Sequence, residues 1–134
     1  MKKYLLDTNI CIYLLKSLYQ LDKKIEQTGI HNCFISEITI AELKFGAENS
    51  NQPAKNHSKI NALQEIVTII PIFTSLDVYA KEKARLKKIG KPLDDFDLLI
   101  GATAISNNLI LITKNISDFE RLAEIKIEDW TKDR

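Results

Sequence analysis

Four short apolar runs, at residues 4–6, 33–35, 69–73 and 109–112, constrain the fold of this chain more than anything else in it. Each is too short for a buried helix and reads as a strand. Between them lie stretches with apolar residues at helical spacing. Strands that alternate with helices form a mostly parallel sheet with helices on both faces. A fifth run, residues 125–127, alternates like an edge strand, so the expectation is a three-layer α/β fold with about five strands.

The helices can be placed by their caps and breakers. Residues 9–18 form an almost wholly apolar helix with Thr8 or Asn9 as cap. A more polar helix covers residues 21–28 and ends at Gly29. Ser36 caps a helix over 37–48. Residues 49–56, the most polar and breaker-rich stretch, read as a loop, after which Ile60, Leu63 and Val67 recur at helical spacing. Ser75 caps a helix that runs to Ile89 and is stopped by Gly90 and Pro92. Asp94 and Asp95 open another, up to residues 107–108, and a short helical turn is expected at 117–122. The apolar helix near the N-terminus and the Ile60–Leu63–Val67 stripe offer surface to a second copy.

The chain has 134 residues, 45% hydrophobic and 28% charged, which suits one domain spanning 1–134. No apolar run is long enough to cross a bilayer. Asp7 interrupts the N-terminal apolar run too early for a signal peptide, so the expected location is cytoplasmic. Cys11 and Cys33 sit in apolar settings without CxxC spacing and read as core thiols. The formal net charge of +1 excludes strong non-specific nucleic-acid binding by bulk charge. It leaves room for a nucleic-acid substrate recognised by local charge.

Ligands in open α/β sheets bind outside the carboxyl ends of the strands. The first strand ends there in a carboxylate, Asp7. On a helical wheel of residues 37–48, Glu37, Lys44 and Glu48 share a charged stripe and Ile38, Ala41 and Phe45 fall roughly opposite. Glu42 lands beside the apolar group. Its head faces a cleft, or else its stem covers apolar surface while the head reaches water. Asp97 opens an apolar helix and shares a face with Gly101 and Ala104. First-turn acids are common in any helix, but Asp94 and Asp95 already offer caps. The fourth strand ends in Thr113, followed by Asn115 and Asp118, repeating the order of Asp7-Thr8-Asn9 at the first. Asp118 serves equally well as a helix N-cap.

Acids gathered in one crevice repel each other unless protonated or neutralised. Hard divalent cations with oxygen ligands neutralise them best. No His pair at i,i+4 and no Cys pair competes for zinc, and His31 and His57 lie in polar stretches. An Mg²⁺ or Mn²⁺ site suits phosphoryl chemistry, where the ion polarises the phosphodiester and generates hydroxide. No glycine-rich phosphate loop is present. Lys81, Arg85 and Lys88 form one helical stripe that either steers RNA phosphates or is simply solvated.

The motifs Leu5-Leu6-Asp7-Thr8-Asn9, Ser36 to Gly46 around Glu42, Asp97-Leu-Leu-Ile-Gly-Ala-Thr-Ala104, and Leu-Ile-Leu-Ile-Thr113-Lys-Asn115 with Phe119 resemble the PIN-domain nucleases. Within them the chain is most similar to VapC-type toxins of toxin–antitoxin pairs. The resemblance covers nearly the whole chain. It implies a PIN-like fold, an Mg²⁺- or Mn²⁺-dependent endoribonuclease, RNA as substrate, a cognate antitoxin, a homodimer, and contact with DNA only through the antitoxin. It implies that Asp7, Glu42 and Asp97 are catalytic metal ligands, with Thr8, Asn9, Thr113 and Asn115 around them. Asn115 stands where many relatives carry a fourth acid, a role Asp118 could fill. Gly101, often Ala in relatives, is read as a minor difference. The rival readings are a PIN-like nuclease of RNA processing, a non-catalytic PIN-like binding module, and an aspartyl-phosphate phosphatase. The last is disfavoured by Asn9, where that chemistry needs an acid.

Overall fold

Leu5 and Leu6 point to opposite sides of a strand, and each is fully buried in a different core. That pair sets the layering. The computed structural model describes residues 2–132. The strands are β1 (Tyr4–Leu6), β2 (Cys33–Ser36), β3 (Thr68–Ile70), β4 (Ile110–Ile112) and β5 (Lys126–Glu128), all parallel, in the order β3-β2-β1-β4-β5. Leu6 joins a core built with α1 (Thr8–Leu15), α2 (Leu21–Thr28), α3 (Glu37–Glu48) and α4 (Pro53–Ile66), including Ile10, Leu43 and Ile60. Leu5 joins Leu86, Leu98, Ile100, Phe119 and Leu122 from α5 (Leu76–Lys88), α6 (Asp95–Ser106), α7 (Ile116–Phe119) and the segment after it.

Successive strands are laid outward from β1 to β3, and the chain then returns to place β4 on the other side of β1. The order therefore reverses between β1 and β4. The crevice at their carboxyl ends is the expected ligand position in such a sheet. Asp7 and Thr113 are the first residues past those ends.

Several expectations are corrected. The first helix starts at Thr8 and ends at Leu15, and its cap is Asp7 rather than Thr8 or Asn9. It stops early because Ser17, Tyr19 and Gln20 take left-handed φ values of 58°, 58° and 54°. The fourth helix begins inside the expected 49–56 loop, at Pro53, whose missing N–H costs nothing in a first turn. The third strand is shorter than residues 69–73: Pro71 offers no amide to a neighbour, and Phe73–Ser75 is a 3₁₀ turn with Phe73 exposed. Ser75 makes no cap hydrogen bond and is buried. The last short helix lies at Ile116–Phe119 rather than 117–122.

The inward stripe of α3 is Thr39, Ile40, Leu43 and Ala47, while Ala41 is exposed and Phe45 is 70% exposed. Ile60, Leu63 and Val67 are buried in the chain's own core, while Ile66 in the same stretch is exposed. A Cβ at Gly101 would meet Leu122 Cδ1, the far end of a flexible side chain that can turn aside to admit it. Cys11 and Cys33 are free, buried thiols, and burial pushes Cys33 up to about 11. No helix of the described residues is long and apolar enough to cross a membrane.

Candidate active site at the carboxyl ends of β1 and β4

Asp7 is held by its neighbours in both directions along the chain. Its amide donates to the Ile112 carbonyl at 3.1 Å, which ties it to β4. Its carboxylate accepts the Ile10 amide at 2.9 Å as the cap of α1. Only 4% of the residue is exposed. Burial raises its pKa, the Thr113 hydroxyl and the Ile10 amide pull it back, and the charges of Glu42 and Asp129 push it up again. The carboxylate thus has two neutral donors, the Ile10 amide and the Thr113 hydroxyl, and no cationic partner among the described residues.

Glu42 reaches the same crevice from α3, half-buried. Thr8 Oγ1 lies 2.6 Å from its Oε1 and 3.2 Å from Thr39 Oγ1. Thr8 has one hydroxyl proton. The shorter contact assigns it to the carboxylate, so Thr39 donates to Thr8. The resulting relay, Thr39 to Thr8 to Glu42, aims the carboxylate and leaves its second oxygen free of protein donors among the described residues.

Asp97 enters from the first turn of α6, where Asp94 already caps the helix by accepting the Phe96 amide at 3.1 Å. Its carboxyl is pushed up to about 6, first by burial and then by the charges of Asp94, Glu42, Asp7 and Asp118. Asp97 therefore feels both Glu42 and Asp7, Asp7 feels Glu42, and the three come from the end of β1, from α3 and from α6. This convergence is what the structure adds to three separately ambiguous carboxylates.

The fourth corner is less charged. The Asn115 amide donates to Thr113 Oγ1 at 2.9 Å, and its side chain donates to Asp118 Oδ2 at 2.8 Å. Arg121 donates to the other oxygen of Asp118 at 3.2 Å. Asp118 lies within the first turn of α7 and is not its cap. Asn9 is exposed and makes no side-chain hydrogen bond among the described residues, so the structure does not bring it into the acid cluster.

The helical stripe on α5 is divided. Arg85 grips Glu82 with two hydrogen bonds, of 2.9 and 2.8 Å, and donates to the Arg121 carbonyl at 2.7 Å. Glu82, buried and held below the usual carboxylate range chiefly by Arg85, also accepts the Ala123 amide at 2.6 Å. That pair pins α5 to the connection between α7 and β5. Only Lys81 and Lys88 are left exposed for any other role.

Two contributors were not singled out from sequence. Thr39 sits three residues before Glu42 on the inward face of α3, a polar residue where an apolar one would pack. Asp129 directly follows β5, the same strand-then-acid order as Asp7, and its charge reaches Asp7.

The donor set fits a hard divalent cation: carboxylates and hydroxyls, with Asp7 and Asp97 raised first by burial and then by neighbouring charge. Among the described residues no three acidic, histidine or cysteine side chains converge tightly enough to hold an ion by themselves. An ion that retains several waters, as Mg²⁺ does, is the kind such a crevice accommodates.

The PIN domain family model matches residues 4–125. The chain belongs to the PIN domain family. Over nearly full length this PIN domain is 36% identical to "Ribonuclease VapC2" of Haemophilus influenzae, covering 97% of this chain and 99% of that one. It is 31% identical to "tRNA(fMet)-specific endonuclease VapC" of Shigella flexneri, covering 98% and 100%. Among solved structures it superposes on DNA-bound VapBC from Salmonella typhimurium with a TM-score of 0.91 at 30% identity, over 97% of this chain and 99% of that one. VapBC-1 from nontypeable Haemophilus influenzae gives a TM-score of 0.85 at 37% identity, covering 96% and 98%. The five-stranded parallel sheet is thus that of the PIN domains.

Proposed function

We propose that this PIN domain is a divalent-metal-dependent endoribonuclease and the toxin of a toxin–antitoxin pair. Full-length similarity to VapC ribonucleases and to the toxins of VapBC complexes supports the activity and the antitoxin partner. The observation that carries the site is the convergence of Asp7, Glu42 and Asp97 from the end of β1, α3 and α6: burial raises Asp7 and Asp97, Glu42 raises both further, and the Asp7 charge reaches Asp97. Asp7, Glu42 and Asp97 would hold Mg²⁺ or Mn²⁺, which when bound supplies charge to the phosphodiester and acidity to water.

The chain's own residues then have defined tasks. The Ile10 amide and Thr113 fix Asp7. The Thr39–Thr8 relay fixes one oxygen of Glu42 and leaves the other to accept a proton from water. Asn115 donates its backbone amide to Thr113 and its side-chain amide to Asp118, orienting the corner without adding charge. The same reading places the protein in the cytoplasm, with DNA contacted only through the antitoxin, as a homodimer acting as one domain over 1–134.

The test is cleavage of RNA by wild type and by Asp7→Asn in Mg²⁺, in Mn²⁺ and in EDTA. Wild type should cut with either metal and not in EDTA. A folded Asp7→Asn protein should not cut under any condition. Undiminished cutting by that variant would refute the site.

A further inference from the structure

Basic residues gather on one side of the crevice that the catalytic reading does not use. A groove of about 750 Å³ runs between the start of α2 and the segment after β5. Tyr19, Lys23, Lys24, Trp130, Thr131 and Lys132 line it, and none of the residues lining it is acidic. Asp22 and Glu26 lie on the same helix but outside the groove. In a chain of net charge +1, three lysines with no acid among the described lining residues are a local excess that the total conceals.

Two chain segments link the groove to the site. Trp130 directly follows Asp129, whose charge reaches Asp7. Lys114 directly follows Thr113, which hydrogen-bonds Asp7. The Lys114 ammonium donates to the Tyr19 hydroxyl at 3.0 Å and lies 5.1 and 6.0 Å from the ring centres of Tyr19 and Tyr13. Those rings meet edge to face at 5.1 Å. An ammonium has three donors, so Lys114 can hold Tyr19 and still offer protons outward.

Tyr19 is presented at a cost. Ser17, Tyr19 and Gln20 are all left-handed and none is glycine. Such strain persists only where the surroundings impose it, and it concentrates at functional sites. Its effect here is to leave Tyr19 44% exposed at the groove mouth. Trp130 plays a different part: it is buried, donates to Glu128 at 3.1 Å and lies under Lys24, so it is wall rather than platform.

We infer that this groove, from Lys114 and Tyr19 to Lys23, Lys24 and Lys132, is the track for single-stranded RNA entering the site. The lysines would meet phosphates, and the Tyr19 ring would stack on a base. Aromatic faces with flanking cations are how single strands are held without reading sequence. The inference rests on the ribonuclease reading for its choice of ligand, so its test measures binding separately from cleavage.

The probe is a short fluorescein-labelled single-stranded RNA, bound by the full chain in EDTA over a salt series. The variants are Lys23→Gln/Lys132→Gln, both exposed positions, with Tyr19→Leu and its conservative partner Tyr19→Phe. The double lysine variant should flatten the log–log salt slope by about 1.4, at about 0.7 for each phosphate no longer neutralised. Tyr19→Leu should weaken binding at least about fivefold, and Tyr19→Phe should restore most of it. With metal present, KM should rise in these variants while kcat stays near wild type.

Lys81→Gln/Lys88→Gln on α5 is the rival track. If it alters binding while the groove variants do not, the inference is overturned. It is also overturned if neither pair matters. RNA binding that depends on the groove in a protein that never cuts would uphold the track and refute the nuclease reading.

Discussion

Replacing Asp97 by asparagine should stabilise the metal-free protein, although it removes a residue central to the site. In the fold the carboxyl is raised from 3.8 to about 6, by burial first and then by four neighbouring acids. At about 1.4 kcal/mol per pH unit that rise corresponds to about 3 kcal/mol against the charged form. The group is half-exposed, so solvent screening reduces the net effect to about 1 kcal/mol. Asparagine loses the favourable interaction of an acid with the first turn of α6, worth a few tenths of a kcal/mol at an exposed position, and Asp94 and Asp95 remain there. Repulsion wins. The melting temperature should rise by about 4 °C near pH 7.5 in EDTA.

The pH dependence gives a second reading of the same quantity. A raised carboxyl keeps its proton in the fold when the unfolded chain has lost it. Stability from this group is therefore complete below about pH 4 and is lost as pH climbs from there through about 6. Asp7, also raised, acts in the same direction. Calorimetric melting of wild type and Asp97→Asn should give curves that coincide near pH 4 and separate by pH 7. A variant less stable than wild type at pH 7.5 in EDTA would refute the reasoning, since it would make Asp97 a structural partner rather than a repelled charge.

Other consequences follow from particular contacts. Thr39→Val should lower cleavage at least about tenfold by releasing Thr8 from its donor and misdirecting Glu42, with RNA binding in EDTA unchanged. Arg85→Leu should lower the urea midpoint without changing the slope, because it leaves the Glu82 carboxylate with only the Ala123 amide. Its kcat at low temperature should match wild type. Asn115→Asp should lower the melting temperature in EDTA by adding charge beside Asp118 and should enlarge the upward shift produced by Mn²⁺.

What the sequence made legible follows from which interactions are local. Strand runs end where a carboxylate interrupts them, so the order of residues alone placed Asp7 at a strand end. Asp94, as a cap, and the run after Asp97 were equally plain. The face of α3 was not. Its wheel offers an Ile38–Ala41–Phe45 stripe as hydrophobic as the Thr39–Ile40–Leu43–Ala47 stripe that the fold buries, and packing against α1 and α4 decides between them. Glu42 reaches the crevice under either choice because it borders both. Asp129 was hidden because its approach to Asp7 depends on β5 pairing with β4, a contact between distant parts of the chain. The Arg85–Glu82 pair was hidden for the same reason: beyond their own helix, Arg85 donates to the Arg121 carbonyl and Glu82 accepts the Ala123 amide.

The central claim is that the raised carboxylates exist to receive a divalent ion. Calorimetric titration with Mn²⁺ in two buffers of different ionisation enthalpy tests it most directly. Near pH 5, with Asp97 largely protonated, binding should release close to one proton and the apparent enthalpy should differ between buffers. Near pH 8 the difference should vanish, and Asp97→Asn should bind far more weakly at both. Binding of Mn²⁺ with the same strength to wild type and Asp97→Asn, and with no proton release at pH 5, would contradict the account.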